Sequence, residues 1–147
     1  MHPYPHHCSV TASGTSEGSV AVKSPDLPEL TTAPPPQFDG PGGQWSPETL
    51  LCAAIADCFI LTFRAMSRAT RFEWLRLECS VEGVLERVER VAQFTAYKTP
   101  ATLTLPAGAD EAKARKLLEQ AEHSCLISNS VRGTRTLEAQ VIFEDHH

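Results

Sequence analysis

From Leu75 onward the chain alternates with a period of two: Leu75, Leu77, Cys79 and Val81 interleave with Arg76, Glu78, Ser80 and Glu82. That is the pattern of a strand with one buried face. The β-branched run Val84–Val91, followed by Phe94 and Tyr97, predicts a second strand, and Ala101–Leu105 a third. The period then lengthens to 3.6. Asp110 stands at a helix-capping position, and Ala114, Leu117, Leu118 and Ala121 fall on one helical face behind it. Thr134–Phe143 returns to period two, with Leu137, Ala139, Val141 and Phe143 on one side. Upstream, residues 8–24 read as a hairpin with its turn at Ser13–Gly18. Residues 25–45, with Pro34-Pro-Pro36 and Gly40-Pro-Gly-Gly43, read as a long loop or edge segment. Ser46-Pro47-Glu48 opens a helix: serine caps, proline suits the first turn, and the glutamate suits the dipole. From Leu50 to Met66 that helix is apolar on every face, so it belongs at the centre of a fold or in a subunit interface, and it ends near residues 68–70. The predicted order is ββ-α-βββ-α-β. This is an α+β fold, an antiparallel sheet around a long central helix.

Composition narrows the function. The 147 residues, 41% of them hydrophobic, suit a single domain, 1–147, that contains the Pro/Gly-rich loop 25–45. A net charge of −5 argues against a nucleic-acid surface, and no Gly-rich phosphate loop is present. The sequence is read as having no apolar run near 18 residues, hence no membrane span, and no signal peptide, so a cytoplasmic location is expected. Five cysteines (Cys8, Cys52, Cys58, Cys79, Cys125) show neither zinc spacing nor a disulfide framework. His2, His6, His7, His146 and His147 read as solvated ends rather than metal ligands. Cys52 and Cys79 read as packing residues and Cys8 as incidental.

Cys58 sits inside the apolar helix and Cys125 follows the second helix, 67 residues later. A thiol among apolar groups is normally inert, because burial disfavours the thiolate. Two thiols brought together can instead run a two-electron redox cycle. The contexts are specific in combination: Pro47-Glu48 with Cys58-Phe59 ten residues after the glutamate, then Ala121-x-x-x-Cys125-x-x-Ser128-Asn129 followed by Arg132-Gly133. These segments resemble the OsmC/Ohr family, the osmotically inducible and organic hydroperoxide resistance proteins.

The resemblance implies an intertwined homodimer with active sites at the interface, and thiol-dependent reduction of organic hydroperoxides. Cys58 would be the peroxidatic cysteine, Cys125 the resolving one, and Glu48 the active-site glutamate. It implies an external dithiol reductant, often lipoyl-linked, and no metal, flavin or nucleotide cofactor. The chain departs from the pattern twice. An arginine is expected in the N-terminal hairpin, yet the first arginine is Arg64, and Leu126 stands where proline is usual. Lys23, Arg132 or a partner-chain cation are the alternatives to the missing arginine. The departure favours a second reading, a non-catalytic OsmC-like protein holding an apolar ligand at the dimer interface. A weaker third is a redox switch.

Other residues carry open readings. Asp57 beside Cys58 faces a solvent-filled groove or pairs with Arg64 or another cation, and its negative charge would raise the thiol pKa. His123 is a proton donor or a solvated helix end. Phe38, Trp45, Phe59 and Phe63 line an apolar entrance, although core packing explains Phe59 and Phe63 equally well. If residues 48–58 form one helix, Glu48 and Cys58 lie about 15 Å apart along its axis. Glu48 could then serve only the Cys58 site of the other subunit, across a two-fold interface of antiparallel helices.

Overall fold

The structure is a computed structural model that describes residues 2–144. The chain forms two compact units, Met1–Leu51 and Cys52–His147. In the first, β1 (Thr11–Ser13), β2 (Val20–Lys23) and β3 (Leu30–Thr32) form a three-stranded antiparallel sheet. The expected hairpin is therefore present. Part of the segment expected as loop adds a third strand, because the prolines leave Leu30-Thr31-Thr32 free to pair with β2.

The long helix α1 spans Pro47–Thr70, and the boundary between the units falls inside it. Its start is a reciprocal cap. Thr49 N–H donates to Ser46 Oγ at 3.2 Å, and Ser46 N–H donates to Thr49 Oγ1 at 2.9 Å. Threonine does the work usually given to glutamate, and Pro47 gives up no hydrogen bond at this position.

The second unit is a mixed sheet with helices on one face. Its strands are β4 (Arg76–Cys79), β5 (Glu82–Val88), β6 (Val91–Pro106) and β7 (Thr134–Glu144); its other helix is α2 (Glu111–Ser124). The third expected strand is longer than read: β6 runs for 16 residues through Pro100 and takes in Val91, Phe94 and Tyr97, the far end of the second. Proline is tolerated there because β5 pairs with β6 up to Lys98 and β4 from Ala101, so Pro100 lies at the gap between them. The predicted run Val84–Val91 is cut by a two-residue turn in which Glu89 and Arg90 both take left-handed φ values, 50° and 70°.

One expectation is overturned. β7 pairs with β6 in parallel, in register from Ala96↔Thr134 to Pro106↔Glu144, so the sheet is not wholly antiparallel. The cause is the connection: β6–α2–β7 is a helical crossover, which returns the chain to the start of the strand it left. Asp110 caps α2 as expected, accepting the Lys113 N–H at 3.1 Å.

The core lies between the sheet and both helices. Phe59 and Phe63 of α1 meet Leu77, Ala101, Leu103 and Leu105 of the sheet and Ala114, Leu117, Leu118 and Ala121 of α2. On α1 the buried positions are Ile55, Phe59, Phe63 and Ser67, a stripe four residues apart. Phe59 and Phe63 are thus core residues, 1% and 0% exposed, and line no entrance. By length and composition α1 could cross a membrane, with a mean hydropathy of 1.7 over its most apolar 18-residue window. This corrects the expectation of no such segment: Asp57 and Arg64 are too few charges to interrupt it. Here the buried stripe packs in a core, and apolar side chains such as Leu61, 47% exposed, remain uncovered.

Candidate active site

Cys58 is partly buried on α1, and Cys125 is fully buried where α2 ends. Both are free thiols, and they lie near enough for each to shift the other's acid–base balance. The fold thus brings together two sulfurs that the sequence separates by 67 residues.

Their surroundings bias them in opposite directions. Burial pushes the Cys58 thiol up, but donors outweigh it: the backbone N–H of Ile127, the Cys125 thiol, the Thr62 hydroxyl and the backbone N–H of Leu126. The net pKa lies below the ordinary cysteine value. Thr62 is one helical turn beyond Cys58, its Oγ1 3.8 Å from the sulfur. Burial also raises the Cys125 thiol, and there it prevails. Ser128 lowers it, donating its hydroxyl to Sγ at 3.4 Å, but the neighbouring Cys58 raises it again. Cys58 is therefore the member of the pair that ionises first, and Cys125 the one that holds its proton longer.

The segment after α2 is anchored from outside. Arg135 of β7 donates from Nη1 to Asn129 Oδ1 at 3.0 Å. Its Nε lies 3.2 Å from Glu122 Oε1, an ion-pair distance at which the N–H is not aligned for a hydrogen bond. Burial raises the Glu122 pKa, while Arg135 and then His123 lower it.

The remaining sequence candidates are placed as follows. Glu48 lies in the first turn of α1, and its Oε2 is buried without a hydrogen-bond partner among the described residues. Asp57 is exposed and does not act on Cys58, contrary to the expected effect of its charge, and it forms no ion pair among the described residues. No cationic side chain among residues 52–144 acts on Cys58. Arg132 instead borders a cavity of about 300 Å³ with Val91, Phe94 and Tyr97. Lys23 pairs with Glu29 at 3.3 Å in the first unit.

His123 is an exposed helix-end residue, and Phe38 and Trp45 are about half exposed. Cys8 is exposed. Cys79 donates to the Ala56 carbonyl at 3.6 Å, and burial, reinforced by Cys125, pushes its pKa up to about 11. Burial likewise raises Cys52, partly offset by the Gly83 backbone. Both behave as packing residues. His146 and His147 lie outside the described residues. Sequence reasoning missed Thr62, which its four-residue offset from Cys58 could have shown. It also missed the main-chain donors and Arg135, which carry no such signal.

An α+β fold with a long apolar helix and a paired-thiol site on its second unit defines a class of protein, and comparison with known proteins identifies the family. Residues 40–140 match the family described as OsmC-like protein, and the chain belongs to it. It is 31% identical over 130 residues to the uncharacterized protein YmaD of Bacillus subtilis, covering 86% of this chain and 82% of that one. Its fold is similar to that of an organic hydroperoxide resistance protein OsmC from Legionella pneumophila, with a TM-score of 0.74 at 23% identity, covering 95% and 99% of the two chains. It is also similar to that of an organic hydroperoxide resistance protein from Elizabethkingia anophelis, with a TM-score of 0.78 at 19% identity, covering 97% and 100%.

Proposed function

We propose that this chain is a thiol-dependent peroxidase that reduces organic hydroperoxides through a two-cysteine cycle. The observation that carries this reading is the neighbouring pair Cys58–Cys125 with opposite acid–base bias. The Cys58 thiolate attacks the distal oxygen of ROOH. The O–O bond breaks, Cys58 becomes a sulfenic acid and RO⁻ leaves. Cys125, still protonated, supplies the proton that makes ROH and becomes a thiolate. It then attacks the Cys58 sulfur, forming the disulfide and expelling hydroxide, which is protonated to water. An external dithiol, lipoyl-linked in the type the resemblance implies, returns both thiols by exchange.

A preference for organic hydroperoxides over hydrogen peroxide is supported by apolar surface near the sulfurs. Leu126 follows Cys125 directly and is 64% exposed, and Leu61 of α1 is 47% exposed. The same surface of α1 supports a homodimer, and Glu48 is assigned to the Cys58 site of the partner subunit. Five free thiols suit a reducing cytoplasm, where we expect the protein to act.

The test is stopped-flow thiol loss from reduced protein mixed with cumene hydroperoxide and, separately, hydrogen peroxide. Rapid loss of two thiols per chain, faster with the organic peroxide and abolished in Cys58→Ser, is expected. Rates no faster than those of free cysteine would instead favour the second reading, a non-catalytic protein holding an apolar ligand at the dimer interface. That reading draws on the absence of any arginine in residues 1–45.

A further inference from the structure

β7 breaks its own pattern at its first inward position. Arg135, Leu137, Ala139 and Val141 alternate with the exposed Thr134, Thr136, Glu138 and Gln140. Leu137, Ala139 and Val141 pack against the core. Arg135 puts a charge on that same face, with its side chain 26% exposed. A charge held this far from water needs partners. α2 breaks a rule of its own nearby. Glu122 lies in its last turn, where the helix dipole disfavours a carboxylate, and its side chain is 15% exposed.

The two exceptions meet. Arg135 Nε lies 3.2 Å from Glu122 Oε1, and Arg135 Nη1 donates to Asn129 Oδ1 at 3.0 Å. Cys125 stands between the two residues that the guanidinium holds, three after Glu122 and four before Asn129. Both are also tied to it through the main chain. Cys125 N–H donates to the Glu122 carbonyl at 3.4 Å, and Asn129 N–H donates to the Cys125 carbonyl at 2.9 Å. Arg135 is itself fixed by strand pairing, opposite Tyr97 of β6. A brace therefore runs from the sheet to the peptide groups on both sides of the second cysteine. A planar guanidinium presents donors to two partners in fixed directions, which the point charge of an ammonium does not.

We propose that Arg135 is the positioning residue of the Cys125 thiol: by stapling Glu122 to Asn129 it fixes where the second sulfur stands relative to Cys58. The inference rests on the two-cysteine reading and deepens it. In that cycle the Cys125 thiolate attacks the Cys58 sulfenic sulfur. The S–S bond forms, the S–O bond breaks, and hydroxide leaves to be protonated to water. Arg135 acts on that step through Asn129 and Glu122 rather than on either sulfur. Placement matters there, because a shift of about 1 Å at a reacting group can cost on the order of a hundredfold.

The experiment measures the pairing of the two thiols without any peroxide. Wild type, Arg135→Met, Arg135→Lys, Asn129→Ala and the double variant Arg135→Met/Asn129→Ala are equilibrated with mixtures of reduced and oxidised glutathione. One glutathione disulfide is reduced to two thiols for each Cys58–Cys125 disulfide formed. The cross-linked peptides are quantified by mass spectrometry, with circular dichroism and the denaturation midpoint as checks on folding. Arg135→Met should lower the equilibrium constant for the disulfide about tenfold, the effect of one hydrogen bond to a charged group. Arg135→Lys should fall nearly as far, because charge without the fork does not hold both partners. Asn129→Ala should also lower it, and the double variant should fall no further than Arg135→Met, since the two residues act through one contact.

A merely structural role would lower the denaturation midpoint and leave the constant where it was. An unchanged constant in folded Arg135→Met would therefore overturn the proposal, as would losses that multiply in the double variant. If Arg135→Met does not fold, Arg135→Lys and Asn129→Ala carry the same test. If the constant responds to Arg135 while hydroperoxide is consumed no faster than by free cysteine, the peroxidase reading fails and the positioning role stands. If hydroperoxide is consumed rapidly and the constant ignores Arg135, the reverse holds. A wild type that forms no Cys58–Cys125 disulfide would sink both.

Discussion

Burial pushes up the thiols of Cys52, Cys79, Cys125 and Cys58 alike, and only at Cys58 do enough donors converge to reverse the direction. More donors and shallower burial together separate a nucleophile from a packing residue here. Cys79 marks the other extreme, pushed up to about 11. Its unfolded value is roughly 8.5. A group raised on folding contributes stability that is fully present below its unfolded pKa and is lost as pH rises through the folded one. The reduced protein should therefore lose stability between about pH 8.5 and 11, and Cys79→Ala should flatten that slope in urea denaturation series across pH. The slope should fall rather than vanish, since Cys52 and Cys125 shift the same way; an unchanged slope would remove Cys79 from the account. Cys58 and Cys125 were legible at this scale because each sits in a distinctive local context. The Leu126 and Ile127 amides were not, because every residue but proline carries an N–H and only the turn decides where it points.

The helices were legible as elements because capping and periodicity are local. Ser46 and Asp110 cap as read, and the 3.6 spacing places Ala114, Leu117, Leu118 and Ala121 in the core. Leu118 is fully buried. Leu118→Ala should cost about 2–5 kcal/mol, seen as a lower denaturant midpoint at constant m-value. A cost below about 1 kcal/mol would mean the core closes over the gap. The parallel pairing of β7 with β6 was not legible, because period two in Thr134–Phe143 fixes a face and not a direction. The entry to β7 depends on Gly133, at φ +116°, where a Cβ would come within 3.0 Å of the Thr95 carbonyl. That register carries Arg135 to Glu122 and Asn129, so the anchoring of the Cys125 segment is a property of strand pairing.

At the scale of the whole molecule, two features bear on the proposed partner: the exposed apolar surface of α1, and Glu48 Oε2, buried without a hydrogen-bond partner among the described residues. The continuous helix keeps Glu48 and Cys58 about 15 Å apart along its axis. The assigned partner is a second copy, and complementation tests the assignment. Chains bearing Glu48→Gln and chains bearing Cys58→Ser should each be impaired alone. Co-expressed, they should recover about a quarter of the wild-type sites, because half of the dimers are mixed and each mixed dimer holds one complete site. No recovery, or a particle of 16.1 kDa by light scattering at micromolar concentration, would contradict a shared site.

The sequence by itself determined the features set over short distances: the helices, their caps, the alternation of the strands, and the two cysteines with their neighbours. The tertiary structure alone decided the direction of β7, the pairing of the two sulfurs and the main-chain donors that lower one of them. Those depend on where distant segments meet, and a local pattern of apolar and polar residues holds no record of its eventual neighbours.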